Sequence, residues 1–299
     1  NINAELLISS LYFFYANKVY KGIDVEKSKE LGWYLPRKKM SLVSYLDSIV
    51  VNPSLFNKDE KEVVGEYYRL RESLKKYRNL EKKENKTPIV LDAGTQKLIP
   101  KDSAQSIAQI RARLFLLGDL ESDSKSPIYD EELVTGVLRY KKRNGLDYTT
   151  TISESNLKHL NVPLANRIKT IVVNMERCRW ISNTFTNADT FIFINIPSYE
   201  LRYFKDGKTI FESKVVVGKA MNKTVVFNAD MKYIVFNPYW NVPKSILKKE
   251  ILPAIQKDPN YLVKNDMEWH EGIVRQKPGP KNALGQVKFL FPNSNAIYL

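Results

Sequence analysis

Thiol and imidazole groups are the side chains of this sequence with the greatest potential for covalent chemistry. The chain has one cysteine, Cys178, and two histidines, His159 and His270. A cysteine beside a histidine can act as a nucleophile, because the imidazole lowers the thiol pKa or accepts its proton. Cys178 lies in the amphipathic stretch "IVVNMERCRWI", and no recognisable motif connects it to either histidine, so we interpret it as a helix packing residue. A single cysteine excludes an intrachain disulfide, and we predict neither a metal site nor a cofactor.

A second group of candidates lies in the stretch "FNPYWNVPKSI", where Pro238 and Pro243 restrict the backbone. Tyr239 and Trp240 form either an aromatic wall beside a bound ligand or part of a packed core, and the pattern leaves both interpretations open. Asn241 can bond a ligand amide or the backbone of its own loop, and the loop interpretation is favoured.

A third group lies in "KPGPKNALG", whose glycines satisfy turn geometry and let the backbone approach a ligand closely. Asn282 and Gly285 are the candidate binding residues of this turn.

The periodicity of apolar residues divides the 299-residue chain into regions with different structure. Residues 1–88 predict a helical scaffold domain, residues 89–163 a module of three short helices, and residues 164–187 a connecting helix with a linker. Residues 188–299 alternate as strands do, with a helical insertion at about 244–272. We therefore predict an α+β multidomain protein with a β-rich C-terminal domain.

Local signals refine these regions. Ser41 is the expected N-cap of one scaffold helix, and Asp102 or Ser103 the expected cap of the first helix in the module. The charged, proline-closed stretch "EKKENKTP" predicts a linker after a long helix. The apolar stripe of that long helix is expected to face the rest of the scaffold domain; its members are Val63, Val64, Tyr67, Tyr68, Leu70 and Leu74.

Composition limits the classes of partner. With 43% hydrophobic and 27% charged residues, the chain can bury a core, and its most apolar stretch, "AELLISSLYFFYA", is too short to cross a membrane. The net charge of +14 is compatible with nucleic acid, an anionic membrane surface or an anionic wall polymer. Basic residues alternate with glutamate and no nucleic-acid recognition motif is present, so we predict no nucleic-acid partner.

Three stretches together resemble the catalytic domain of L,D-transpeptidases: "FINIPSYELRYFKDGKTIFESKVVVGK", "FNPYWNVPKSI" and "RQKPGPKNALGQVKFLFPNSNAIYL". The large multidomain murein transpeptidases are the most similar subtype, with a scaffold, a peptidoglycan-binding module and a helical cap inserted in the catalytic domain. The segments "GDL", "VLRYKKRNGL" and "LNVP" resemble that binding module, although helix punctuation in a simple bundle explains the same residues.

The resemblance implies a histidine directly after "NAIYL" and a Ser/His-Gly-Cys motif with a nearby arginine further on, so we expect the catalytic residues to lie beyond Leu299. We also expect the chain, which begins without Met, to be a mature or a trimmed form. Tyr298, two positions before the expected histidine, would share its face of the strand and is either a groove residue or a buried aromatic.

The implied activity is acyl transfer through a cysteine thioester, from a tetrapeptide stem to an acceptor amine, forming 3-3 cross-links sensitive to carbapenems. The implied partners are peptidoglycan stem peptides and glycan strands in the bacterial periplasm or cell envelope; any membrane association would lie outside this chain. The alternative is an envelope protein that binds peptidoglycan without catalysis. The sequence does not indicate the oligomeric state.

Overall fold

A computed structural model describes residues 2–37, 41–57, 63–182, 188–219 and 221–299. The chain divides into two compact units, Asn1–Val225 and Val226–Leu299. Helices dominate as far as Cys178 and strands dominate after Thr190, which confirms the predicted mixture of helix and strand. Residues 58–62 of the predicted long helix and 183–187 of the predicted linker lie outside the described residues.

The first unit is built mainly from helices. They are α1 (Ile2–Ala16), α2 (Val25–Glu30), α3 (Leu42–Val51), α4 (Gly65–Glu81), α5 (Gln105–Leu117), α6 (Glu131–Arg143), α7 (Glu154–Leu160) and α8 (Leu164–Cys178). Ser41 caps α3 as predicted, because its hydroxyl accepts a hydrogen bond from the Ser44 amide at 3.2 Å. Among the described residues, no helix combines the length and apolar character that a membrane span requires.

The strands of the first unit are short except for the last three. They are β1 (Trp33–Tyr34), β2 (Lys97–Leu98), β3 (Ile152–Ser153), β4 (Thr190–Asn195), β5 (Glu200–Lys205) and β6 (Lys208–Lys214). The last three form an antiparallel sheet in the order β4-β5-β6. Asp206 and Gly207 form the tight hairpin turn that connects β5 to β6, with φ values of 50° and 71°.

The apolar stripe of α4 packs against α8. Val63, Val64 and Tyr67 form a buried cluster with Met175 and Cys178. The prediction that this stripe faces the rest of the scaffold was therefore wrong. The physical reason is that α8 presents its own apolar residues at helical spacing, and the two stripes cover each other.

The segment predicted as a linker has no regular secondary structure after α4, and one of its residues, Glu84, is anchored in the first unit. The side chain of Glu84 is 2% exposed and pairs with Arg113 at 2.9 Å. The same carboxylate accepts hydrogen bonds from the Leu164 amide at 3.1 and 3.3 Å, at the start of α8. A charge pattern alone does not distinguish an exposed glutamate from one that accepts hydrogen bonds at the start of a distant helix, so this anchor is not visible in the sequence.

The module of residues 89–163 has a core of its own. Its buried apolar residues come from α5, α6, α7, the β2–β3 pair, the connecting segments and the start of α8; they are Ile89, Leu98, Ile107, Ile110, Leu114, Leu117, Leu120, Tyr129, Leu133, Val137, Tyr140, Ile152, Leu157, Leu160 and Leu164. The predicted caps of α5 were wrong. Asp92 accepts hydrogen bonds from the amides of Gln105 and Ser106 at 2.9 and 3.0 Å, whereas Asp102 bonds the Ile99 amide.

The second unit contains two small sheets and a helical patch. Its strands are β7 (Val226–Phe227), β8 (Tyr233–Phe236), β9 (Trp240–Asn241), β10 (Met267–His270), β11 (Ile273–Gln276) and β12 (Val287–Leu290). One antiparallel sheet has the order β10-β11-β9, and β12 pairs with β8 in the other. The helical segments Lys244–Ile246, Leu247–Ile251 (a π-helix), Leu252–Lys257 and Tyr261–Lys264 fall within the predicted insertion.

A small apolar core joins the helical patch to the first of these sheets. Val242, Ile251, Met267 and Val274 are its buried members. Trp240 packs against this cluster from strand β9, together with partly buried residues of the helical segments. The sheet β10-β11-β9 therefore has one apolar face covered by the helical patch, which leaves its opposite face available for polar side chains.

Candidate functional site

Strand β9 and its flanking residues hold the first predicted group. Trp240 lies opposite Gln276, and Asn241 lies opposite Arg275, in the antiparallel pairing of β9 with β11. Trp240 packs against the apolar core, which favours the core-packing interpretation over an aromatic wall beside a ligand. Tyr239 is 48% exposed. The two aromatic side chains, which the sequence treats alike, therefore have different environments.

Tyr239 is covered by a guanidinium group. The Arg275 Cζ atom lies 4.1 Å from the centroid of the Tyr239 ring, within the range of a cation–π contact. Arg275 also donates from Nε to the Glu268 carboxylate at 2.8 Å, and its second nitrogen lies 2.7 Å from the same oxygen. The other Glu268 oxygen lies 3.0 Å from the Lys277 ammonium group. Hydrogen bonds from Arg275, followed by those from Lys277, lower the pKa of Glu268, which stays ionised at neutral pH.

Asn282 fixes the loop that follows β11. Its side chain is buried, and its amide nitrogen donates to the carbonyls of Pro238 and Lys277 at 2.9 Å each and approaches that of Gln276 at 3.4 Å. Its side-chain oxygen accepts from the Leu284 amide at 2.8 Å. The amide group is thus engaged by backbone atoms, which favours a role in holding the loop over direct contact with a ligand.

Gln276 is a second buried amide with the same function. It is 5% exposed, donates to the carbonyls of Asn265 and Lys281 at 3.0 Å each, and accepts from the Ala283 amide at 2.9 Å. We call Gln276 and Asn282 the amide pair. Sequence reasoning did not select Gln276, but the alternation of "GIVRQ" places it on the inward face with Val274, and a polar residue there signals a buried hydrogen-bond network.

Gly285 ends the loop with a φ of 71°, a left-handed conformation that glycine adopts without strain. Its amide donates to the Asn282 carbonyl at 2.9 Å. The predicted need for turn geometry at this position is therefore confirmed. A ligand contact by its backbone stays a prediction.

Tyr298 lies with the other sheet of the unit. Leu299 and Phe289 exchange backbone hydrogen bonds at 2.6 and 3.2 Å, so the C-terminal residues run beside β12. The Tyr298 ring is 42% exposed, and the Lys288 ammonium group lies 4.2 Å from its centroid. Asn293 holds the preceding turn by donating to the carbonyls of Phe291 and Ile297. The exposure of Tyr298 favours the groove interpretation over a buried aromatic.

The thiol and the two imidazole groups occur in different elements: Cys178 ends α8, His159 lies on α7, and His270 lies on β10, in the same sheet as β9 and β11. Cys178 is 7% exposed in the α4–α8 cluster, and burial, with a smaller contribution from Glu66, raises the pKa of its thiol to about 11. A protonated, buried thiol is a poor nucleophile, so its environment matches the packing interpretation. His159 bonds the Tyr140 hydroxyl through Nδ1 at 2.7 Å, and His270 lies on β10 in the other unit.

The structure thus brings most of the predicted site residues into one part of the second unit. Tyr239, Trp240 and Asn241 lie on or beside β9, and Asn282 connects the loop ending at Gly285 to this segment through the Pro238 carbonyl. Tyr298 belongs to the β8–β12 sheet region instead. Within the residues that the structure describes, no group of three histidine, cysteine, aspartate or glutamate side chains could hold a metal ion.

Comparison with known proteins gives the family context of these regions. A family model described as the L,D-transpeptidase catalytic domain matches residues 189–299, and one described as a scaffold domain matches residues 1–74. A Haemophilus influenzae protein with a provisional L,D-transpeptidase name is 36% identical over 157 residues, which covers 45% of this chain and 31% of that protein. The chain therefore spans about a third of the length of this relative. Residues 189–299 are thus similar to the L,D-transpeptidase catalytic domain.

Proposed function

We propose that the protein is an L,D-transpeptidase that cross-links cell-wall peptidoglycan. The observation that carries the proposal is the match of residues 189–299 to the L,D-transpeptidase catalytic domain, supported by the relative that is 36% identical. The similarity to this family supports a reaction on peptidoglycan in the cell envelope.

The reaction is acyl transfer in two steps. A cysteine thiolate attacks the carbonyl between the third and fourth residues of a tetrapeptide stem, and the terminal D-alanine leaves as its amine accepts a proton. The thioester is then attacked by the side-chain amine of a second stem, which releases the thiolate and forms a 3-3 cross-link. Backbone amides near the cysteine stabilise the oxyanion of each step. The nucleophile and its histidine are expected beyond Leu299.

The described residues supply binding and positioning for this reaction. Tyr239 and Asn241 are exposed beside β9 and are proposed to contact the stem peptide, whereas Trp240 and Asn282 hold the segment and its neighbouring loop. Tyr298 is proposed to line the groove near the histidine. Continued antiparallel pairing beyond Leu299 and Phe289 would place that histidine opposite Lys288.

The other regions are proposed to bring the enzyme to its polymer. The scaffold is assigned to residues 1–88 and the connecting segment to residues 164–187. The module of residues 89–163, with its own buried core, is assigned to peptidoglycan binding. The catalytic domain is assigned to residues 188–299, with a cap at about 244–272. The net charge of +14 favours an anionic wall polymer in the periplasm.

The proposal is tested with the protein extended through the expected cysteine. Incubation with purified tetrapeptide muropeptides should release D-alanine and give 3-3 linked dimers in mass spectra, and a carbapenem should add its mass to the protein. A variant that replaces the expected cysteine by alanine should lose both products. Absence of dimers and of the carbapenem adduct would refute the enzyme; binding of muropeptides without either product would support the non-catalytic envelope protein.

A further inference from the structure

The outward face of the sheet β10-β11-β9 gathers polar side chains that the sequence does not connect. Glu268 lies opposite Arg275 across β10 and β11, and Arg275 lies opposite Asn241 across β11 and β9. Residues directly opposite in a sheet share a face, so these three side chains lie on one side. Val274 and Met267, at alternating positions, belong to the apolar core on the other side.

We call this surface the Arg275 face and define it by five residues: Tyr239, Asn241, Glu268, Arg275 and Lys277. Its members are accessible to a ligand to different degrees, since the side chains of Arg275, Glu268 and Lys277 are 21%, 30% and 52% exposed. Tyr239 and Asn241 are also exposed. The surface is therefore open, and part of it is predicted from sequence as a binding region.

The two cations of this face share one carboxylate, so one positive charge is not neutralised. Arg275 contacts one oxygen of Glu268 at 2.8 and 2.7 Å, and Lys277 contacts the other oxygen at 3.0 Å. One carboxylate thus serves two cations. A cluster with a net charge of +1 attracts a monoanion, whereas the central Glu268 repels a multiply charged anion such as a phosphate.

The cationic groups are also held in place before any ligand binds. Arg275 is fixed from below by the Tyr239 ring at 4.1 Å and from the side by Glu268. The backbone of Lys277 is also held in place, because its amide donates a hydrogen bond to the Asp266 carbonyl at 2.8 Å. Groups that are already ordered lose less conformational entropy on binding than free surface lysines do. This pre-organisation lowers the entropic cost of binding a ligand at the face.

We infer that the Arg275 face is a subsite for a peptide carboxylate, bound by Lys277 and Arg275 with Asn241 available for a neighbouring peptide amide. The inference rests on the proposed function, because the ligand assigned to this subsite is the carboxylate-bearing stem peptide of peptidoglycan. A monoanionic carboxylate matches the net charge of the cluster, and the exposed edge of the Tyr239 ring provides an apolar contact for an adjacent side chain.

The subsite is tested by titrating the 299-residue chain with a soluble stem tetrapeptide and with the same peptide after conversion of its carboxyl groups to amides. The acid form should bind the wild-type chain about tenfold more tightly than the amide form. In Lys277→Gln and Arg275→Gln this preference should fall to about threefold or less, because a charge-assisted contact is lost. Hydrogen exchange of the β10–β11 amides shows whether a variant has a disturbed sheet. If Arg275→Gln disturbs the sheet, Lys277→Gln still tests the subsite, because Lys277 is exposed and lies outside the strands.

The matched control is Arg202→Gln. Arg202 is also exposed on a strand and also paired, with Glu200 and Glu212 at 3.3 Å each. This variant should retain the wild-type preference for the acid form. Equal affinity of wild type for acid and amide, no binding of either peptide, or an equal loss in Arg202→Gln would overturn the subsite.

The outcome is separable from the test of the enzyme. In the extended protein, Lys277→Gln should raise KM for the stem peptide with little change in kcat, because the residue binds substrate away from the reacting bond. Cross-linking with an unchanged KM would overturn the subsite and leave the enzyme standing. Carboxylate-dependent binding without cross-linking or carbapenem adduct would refute the enzyme and leave the subsite standing.

Discussion

The helical module of residues 89–163 and the unit Val226–Leu299 bury polar side chains by different means. The module uses charged groups: Lys141 is 1% exposed and pairs with Asp147, and Asp119, also 1% exposed, pairs with Arg143. The second unit uses the uncharged amide pair, which bonds backbone atoms of its own loop. Buried charges require a partner of opposite sign, whereas buried amides require only the correct geometry.

This difference has consequences for function. A charge pair can connect segments that are far apart in sequence, as Glu84 and Arg113 do. The amide pair instead fixes a local loop beside β9 without adding charge next to the proposed carboxylate subsite. The comparison teaches that a binding surface can keep its electrostatic character when its supporting residues are neutral.

The largest expected effect comes from removing one member of a fully buried charge pair. Glu84→Ala leaves Arg113 buried without its carboxylate and removes an acceptor for the Leu164 amide, so the free energy of unfolding of the module should fall by about 3–5 kcal/mol. Chemical denaturation followed by far-UV circular dichroism measures it. Lys83→Ala, at an exposed neighbouring position, should change stability by less than about 0.5 kcal/mol. Equal effects of the two changes would contradict the buried pair.

The amide pair should give the second largest effect. Asn282→Ala removes the donor to Pro238 and Lys277 and should cost about 2–3 kcal/mol, seen as faster hydrogen exchange in residues 277–285. Asn282→Asp keeps the shape but places a carboxylate against carbonyl oxygens, so the folded state should raise the pKa of the new carboxyl group. Its penalty should therefore be greatest at neutral pH and shrink as the pH falls through that raised value. Asn295→Ala, at an exposed position, is the control, and a pH-independent Asn282→Asp variant would argue against the network.

A smaller effect tests how closely the module is packed. A Cβ atom at Gly136 would lie 2.4 Å from a Leu120 methyl carbon, whereas one at Gly65 would meet nothing within 4 Å. Gly136→Ala should lower the thermal stability by about 1–3 kcal/mol through overpacking, despite the better helix propensity of alanine. Gly65→Ala, at the start of α4, should be neutral or slightly stabilising. A stabilising Gly136→Ala would show that Leu120 moves aside at little cost.

The smallest effect concerns pH. Burial, followed by the charges of Arg167 and Arg143, lowers the pKa of His159 below its ordinary value of 6.5. The unfolded chain then binds the proton more readily, so stability is complete above about pH 6.5 and declines as the pH falls through the lowered value. Thermal melts between pH 8 and pH 5 should show this decline, and His159→Gln should reduce it. His270→Gln, in the other unit, serves as the control; an equal reduction there would remove His159 as the cause.

Much of the architecture follows from sequence because it depends on local rules. The Ser41 cap, the Asp206–Gly207 turn and the helical patch at Lys244–Lys264 each follow from short-range patterns, and each is present. The mixed helix and strand class is confirmed for the same reason. In strands and helices, the spacing of apolar residues along the sequence directly indicates which face is buried.

The rest depends on which segments meet, and a single sequence does not contain that information. The α4 stripe was expected to contact the scaffold, but α8 covers it. Asp92 caps a helix 13 and 14 residues later in the chain, where the nearby Asp102 and Ser103 were expected to do so. In the candidate site, Trp240 and Tyr239 are neighbours in sequence, yet one packs in the core and the other lies under Arg275.

The contact between Glu84 and the start of α8 also decides where the chain can be divided. A shorter protein that begins at residue 89, the boundary suggested by the sequence, would lack this carboxylate. Arg113 would then lose its ion-pair partner. It would also expose the apolar side of α8 that α4 covers. A fragment intended for isolated wall-binding assays should therefore start before Val63, so that it includes α4 and keeps the apolar side of α8 covered.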